Sequence, residues 1–303
     1  MKTVYRLSLL ALLVLKAQGG YTQTVNDYLN AYLGANKEGY LQPLADMTIA
    51  GFNTGLQPSA RIDDRFYIRL NLTAMGSMPM TSQKTFMATT EAPFSPQQTV
   101  SAPTIVGERK PVSVQGANNF TYVFPSGFGL KRLLWAVPQL TIGGIKGTEV
   151  SLRMLPYDFG GDFGKLQILG LSFRHDVGQY FLKKSPIVLN VGYAYNQSDI
   201  GKYIALQSHY AYVQAGVGGK RAGIFAWAGY QTGTFDVSYS YIENTQSKPV
   251  TANLKTKQPF LGGIGTHLQL GLFSLGAGVG GPVPLTGYGT LGFRFISPKK
   301  TKS

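Results

Sequence analysis

The chain contains no cysteine. Disulfides, thiolate metal sites and lipid attachment through an N-terminal cysteine are therefore excluded. Charge is also scarce. Asp, Glu, Lys and Arg make up 14% of the residues, against about 25% in a typical soluble protein. So little charge requires strands buried on both faces, or strands that turn one face to lipid. Long apolar runs are missing: beyond the N-terminus nothing approaches the roughly 18 residues that mark a spanning helix. The three histidines, His175, His209 and His267, are far apart and lack an HExxH spacing. No metal site is expected from them.

What the chain does have favours β-structure. It carries 38 Gly, 18 Tyr and 17 Phe, and the mean hydropathy is −0.02. That average is too low for a helical membrane protein. It suits a barrel whose apolar exterior and polar interior cancel. At the start, Lys2 and Arg6 precede an apolar run from Leu7 to Leu15, followed by Ala17-Gln18-Gly19-Gly20. This order predicts an export signal over residues 1–17. The net charge of +14 is dispersed among strands, which favours anionic lipid or lipopolysaccharide over nucleic acid as a partner.

Periodicity divides the rest. Val25, Tyr28, Leu29, Tyr32 and Leu33 follow helical spacing, and Tyr40, Leu41, Leu44, Ala45 and Met47 suggest another turn or two before Gly51, Gly55 and Pro58. Residues 18–60 are read as a helical segment that plugs the barrel or packs on its rim. From Phe66 the period becomes two: Phe66, Ile68, Leu70, Leu72 and Ala74 alternate with Tyr67, Arg69, Asn71 and Thr73. Residues 76–118 break the pattern and read as a long excursion with one hairpin. Strand-like runs then recur at short spacing from Phe120 to Ile296, among them Phe120 to Phe124, Ala222 to Tyr230 and Thr234 to Ile242, most of them separated by Gly, Pro, Asn or Asp. The last reads Tyr288-Gly289-Thr290-Leu291-Gly292-Phe293-Arg294-Phe295, with Leu291, Phe293 and Phe295 on one face. The fold class expected is all-β: an antiparallel transmembrane β-barrel of about 12–14 strands over residues 61–296, with a basic tail over 297–303.

The densest polar stretch runs from Lys146 to Asp176. Val150, Leu152 and Met154 share one face, which turns Glu149, Ser151 and Arg153 inward; Leu169, Leu171 and Phe173 do the same for Arg174. A charge on the lipid face at mid-membrane costs roughly 2–4 kcal/mol. Glu149, Arg153 and Arg174 are therefore the candidate lumen network, with Lys165, His175 and Asp176 as weaker candidates. Packing of the lumen explains the same residues without any contact to solute. No nucleophile with a marked base stands out, so no catalytic residue and no cofactor are expected. Gly276-Ala277-Gly278-Val279-Gly280-Gly281 lacks the strand–helix setting of a phosphate loop and fits crowded strands better.

Particular motifs carry a resemblance. Pro138-Gln139-Leu140, Lys146-Gly147-Thr148-Glu149, Arg153, Gly161-Asp162-Phe163-Gly164-Lys165 and Phe173-Arg174-His175-Asp176-Val177, with Asp27-Tyr28-Leu29 and Pro103-Thr104-Ile105-Val106-Gly107, resemble an uncharacterised outer-membrane barrel family of Bacteroidota. That resemblance implies fold and an outer-membrane location, and no activity. A helical plug would make the architecture similar to the long-chain fatty-acid channel family. The expected function is a passive channel or transporter for small, hydrophobic or other, solutes. The alternatives are a non-conducting structural or assembly barrel of a surface or secretion complex, and a lipid-acting barrel hydrolase. Expected partners are outer-membrane lipid, lipopolysaccharide, the barrel-assembly machinery and a small solute.

Overall fold

A computed structural model describes residues 36–296 apart from 58, 159, 161–163, 183–184, 202, 220 and 244–245. The predicted export signal, the helical pattern of residues 25–33 and the basic tail lie outside the described residues. In the described part a 17-residue helix, α1 (Asn36–Phe52), precedes strand β1 (Tyr67–Met78). Four short strands follow, β2 (Thr85–Thr89), β3 (Thr99–Pro103), β4 (Val112–Gln115) and β5 (Thr121–Phe124). Then come β6 (Leu133–Ile145), β7 (Thr148–Asp158), β8 (Lys165–Asp176), a single turn α2 (Gly178–Phe181), β9 (Ile187–Ile200) and β10 (Ile204–Gly218). The chain ends with β11 (Ala222–Glu243), β12 (Gln246–Lys255), β13 (Phe260–Leu270), β14 (Phe273–Gly281) and β15 (Leu285–Ile296).

Ten strands close an antiparallel barrel. Their order is β10-β9-β8-β7-β6-β1-β15-β14-β13-β11, and β11 pairs back to β10. Closure leaves none of the ten barrel strands with an unpaired edge. Alternation sets the register. Ile68, Leu70 and Leu72 face out while Arg69, Asn71 and Thr73 are buried inside. Leu291, Phe293 and Phe295 likewise face out, and Arg294 faces in. A shift of one residue in β1 would exchange these sets, so the apolar exterior fixes the pairing.

The barrel has fewer strands than the 12–14 expected, for two reasons. The run Phe120–Phe124 is β5, which pairs only with β4 outside the barrel. The runs before and after Gly233 are one continuous strand, β11, whose first part pairs with β10 and β13 and whose second part pairs with β12. The excursion after β1 also holds two hairpins, β2–β3 and β4–β5, rather than one.

The two rims differ. Tyr67 and Ile296 pair at one end, the terminal rim. The β6–β7, β10–β11 and β13–β14 connections at this rim are short. The opposite, far rim carries residues 79–132 and the projecting β11–β12 hairpin. Helix α1 lies in the lumen below the far rim, where Asn36 holds Thr89 through its side-chain amide at 2.7 Å. The helix is longer than the turn or two expected and runs through Gly39 and Pro43. It is surrounded by wall and excursion, so packing overrides propensity. A side chain at Gly39 would strike the Phe86 ring, and one at Gly51 would strike Trp135. Both glycines let the helix approach those rings.

Candidate functional site

Below α1 the chain runs as an irregular segment, residues 53–66, down the axis of the barrel to the start of β1. Asn53, Thr54, Gln57, Ser59, Ala60 and Asp63 are buried. An irregular buried segment must find partners for its peptide groups. Here the inward side chains of the wall supply them. Arg153 on β7 donates through Nη1 to the carbonyls of Phe52, at 3.0 Å, and Thr54, at 3.1 Å. Its Nη2 reaches the Gly55 carbonyl, and its Nε bonds Gln139 at 2.8 Å. Tyr288 donates to the Gln57 carbonyl at 3.4 Å, Gln214 to that of Ser59 at 3.1 Å, and Asn190 to that of Ala60 at 2.9 Å. Asn196 and Ser208 both donate to the Asn53 side-chain oxygen, at 2.8 and 3.2 Å. These partners come from β7, β9, β10 and β15, so the segment is held from several sides.

Charge gathers toward the terminal rim. Glu149 and Arg174 stand directly opposite on β7 and β8 and are hydrogen-bonded. Arg69 on β1 approaches the other carboxylate oxygen of Glu149 at 3.7 Å. Arg294 on β15 binds Asp63 of the lumen segment at 2.9 Å. All five side chains are at most 5% exposed. The Tyr67 ring lies between the cations, 4.3 Å from the Arg294 guanidinium and 5.3 Å from that of Arg69. Buried ions of this kind are maintained only with partners.

Of the three candidate network residues, Glu149 and Arg174 pair, while Arg153 takes carbonyls instead of a carboxylate. Lys165 is exposed at the far rim, opposite Asp158. His175 lies at the terminal rim between Thr148, at 2.9 Å, and the Tyr180 hydroxyl, at 3.0 Å. Asp176 accepts from the Gln179 amide at 3.2 Å in the turn of α2. His267 accepts the Ala60 N–H at 3.1 Å, and His209 meets the Tyr193 hydroxyl at 2.6 Å. Asp63, Arg294 and the carbonyls of residues 52–60 were not singled out from the sequence, in which His267 figured only among histidines too scattered for a metal site. Inward parity on β15 marked Arg294. Nothing local marked the carbonyls, since every residue type carries one.

Asp46 lies on α1, clear of the barrel strands. It accepts hydrogen bonds from the Lys257 amide at 2.8 Å, Thr256 at 3.0 Å and Gln42 at 3.2 Å. Burial nevertheless pushes its carboxyl above the ordinary value; those bonds and the Lys257 charge oppose the shift.

A family model described as a family of unknown function (DUF6588) matches residues 1–280. No curated protein matches the chain. Among solved structures it is similar to the toluene transporter TbuX of Ralstonia pickettii, at 8% identity, covering 89% of this chain and 99% of that one with a TM-score of 0.28. It is also similar to the translocator domain of the autotransporter NalP of Neisseria meningitidis, at 9% identity, 83% and 93% coverage and a TM-score of 0.28. A FadL homologue of Pseudomonas aeruginosa gives 8% identity, 86% and 97% coverage and a TM-score of 0.26. Likeness at this level says nothing of what the barrel carries.

Proposed function

The chain belongs to that family of unknown function, and we propose that it is an outer-membrane barrel closed at rest by its own residues 36–66, which passes small solutes when that segment is displaced. The carrying observation is the chemistry between wall and segment. Arg153, Arg174, Asn190, Gln214 and Tyr288 donate to carbonyls of residues 52–60. Water can replace each of those carbonyls, so an emptied lumen would be polar and hydrated. The same donors satisfy the carbonyls while the segment is in place, so the wall is matched chemically to both the closed and the hydrated lumen. The space is suitable too. A lumen that holds a helix has a width of about 10 Å with side chains.

The apolar exterior supports membrane insertion, and the short turns at the terminal rim support its placement toward the periplasm, with the far rim outside. A non-conducting structural role is the second reading, supported by the burial of most of the described residues between Tyr40 and Asp63.

Conductance in planar bilayers separates the two. Deleting residues 36–60 should produce or enlarge channels relative to the intact protein. Cysteines placed at Asn53 and Ser208, whose side chains meet at 3.2 Å, should hold the intact protein closed when oxidised and release it when reduced. A folded deletion variant that stays silent would remove the channel reading and leave the structural one.

A further inference from the structure

Where the lumen segment approaches β1, a cavity of about 10 Å³ lies between Ser59, Arg61, Asp63, Arg69, His267 and Arg294. It admits one water-sized particle. Its charge is unbalanced. Among the described residues, Arg61, Arg69 and Arg294 line it against the single carboxylate of Asp63, which is already bound to Arg294. The adjacent Arg174–Glu149 pair adds one charge of each sign, as do Asp64 and Arg65 at the rim. Arg69 is 3% exposed; it shares Glu149 with Arg174, its Nη1 lying 3.7 Å from that carboxylate, but its Nε and Nη1 donate no hydrogen bond, nor does the Nε of Arg294. His267 uses Nδ1 to accept from Ala60, so the neutral ring contributes no carboxylate-like charge.

Buried cationic donors in excess need a counter-charge. We propose that this cavity binds one small inorganic anion of the halide class, held between Arg69 and Arg294. A single-atom anion matches a space for about one water-sized particle, and it can take the free N–H donors of Arg69 and Arg294 together. The ion would complete the donors of Arg69 and offset the repulsion between Arg69 and Arg294. It would also bind the lumen segment to the wall, because Ser59, Arg61 and Asp63 come from the segment while Arg69, His267 and Arg294 come from β1, β13 and β15. The site does not depend on whether the barrel conducts.

The test uses the refolded full-length mature protein in detergent. Thermal unfolding is followed while sodium chloride replaces sodium gluconate at constant ionic strength. A specific site gives a stability that rises with chloride. Above the dissociation constant, each tenfold increase multiplies the folded-to-unfolded ratio by about ten. Arg69→Gln should remove this response. Identical curves in the two salts, or the same chloride response in Arg69→Gln, would overturn the proposal and assign the cavity to water. Should Arg69→Gln fail to fold, wild-type crystals grown in sodium bromide decide the matter. An anomalous peak in the cavity supports the site, and no peak there overturns it.

Discussion

Arg153 caps the helix in the lumen: its guanidinium donates to the Phe52 carbonyl at 3.0 Å, at the C-terminus of α1. Terminal carbonyls of a helix lack intrahelical partners and carry partial negative charge, so a cation there satisfies both. The relationship joins wall to plug through a group that no carboxylate neutralises among the described residues.

Replacing Arg153 with Gln should therefore strand the carbonyls of Phe52, Thr54 and Gly55. Bonds to a charged donor are worth about 1.5–3 kcal/mol each in net terms, and water entering the site will recover part of that. Denaturant titration should show a loss of a few kcal/mol. Bilayer recordings should show more frequent openings in the variant. Unchanged stability would mean that the cap contributes little.

Glu149 calls for a double-mutant cycle. It is the carboxylate between Arg174 and Arg69, so Glu149→Gln leaves two buried cations facing each other. Breaking a buried pair on one side costs about 3–5 kcal/mol. Arg174→Gln alone should also destabilise. The double variant should lose less than the two single losses combined, because neither partner is left charged and alone. Additive losses would indicate that the two side chains act separately.

Orientation can be read by labelling, since the natural chain has no cysteine to interfere. Glu38 is exposed near the far rim and Arg221 is exposed in the β10–β11 turn of the terminal rim. A membrane-impermeant maleimide added to intact cells should label Glu38→Cys. Arg221→Cys should react only after the outer membrane is permeabilised. The reverse pattern would invert the barrel, and equal labelling of both would contradict insertion.

Asp46 predicts a dependence on pH. Its carboxyl is raised in the folded state by burial, so folding binds its proton more tightly than the unfolded chain does. The stability this gives is fully present below the unfolded value, about 3.9, and is lost as pH rises through the folded value. Asp46→Asn keeps an acceptor oxygen and removes the charge. Unfolding midpoints should favour Asn over the wild type at pH 7, and the difference should shrink toward pH 4. A constant difference across that range would contradict a raised carboxyl.

Much of the wall was legible because the outer face and the lumen of the barrel impose opposite demands on alternate residues. Ile68 against Arg69, and Leu152 against Arg153, could be placed from parity alone. The strand count was less legible. Gln231-Thr232-Gly233 reads as a break, yet β11 continues through it because the β11–β12 hairpin takes over the pairing beyond the barrel. The helix length was hidden for a related reason. Gly39 and Pro43 disfavour a helix in isolation, and only the surrounding wall and excursion outweigh them.

What the sequence determined by itself was the identity of the two faces, since apolar residues alternate with polar and charged ones along the strands. It also determined that Glu149, Arg153 and Arg174 face inward. Only the tertiary structure decided what they meet there. Glu149 meets Arg174 because strand register sets them opposite each other, and Arg153 meets the end of α1 because residues 53–66 descend through the barrel. Those contacts are made largely to backbone carbonyls, which every residue shares, so no pattern of side chains could have announced them.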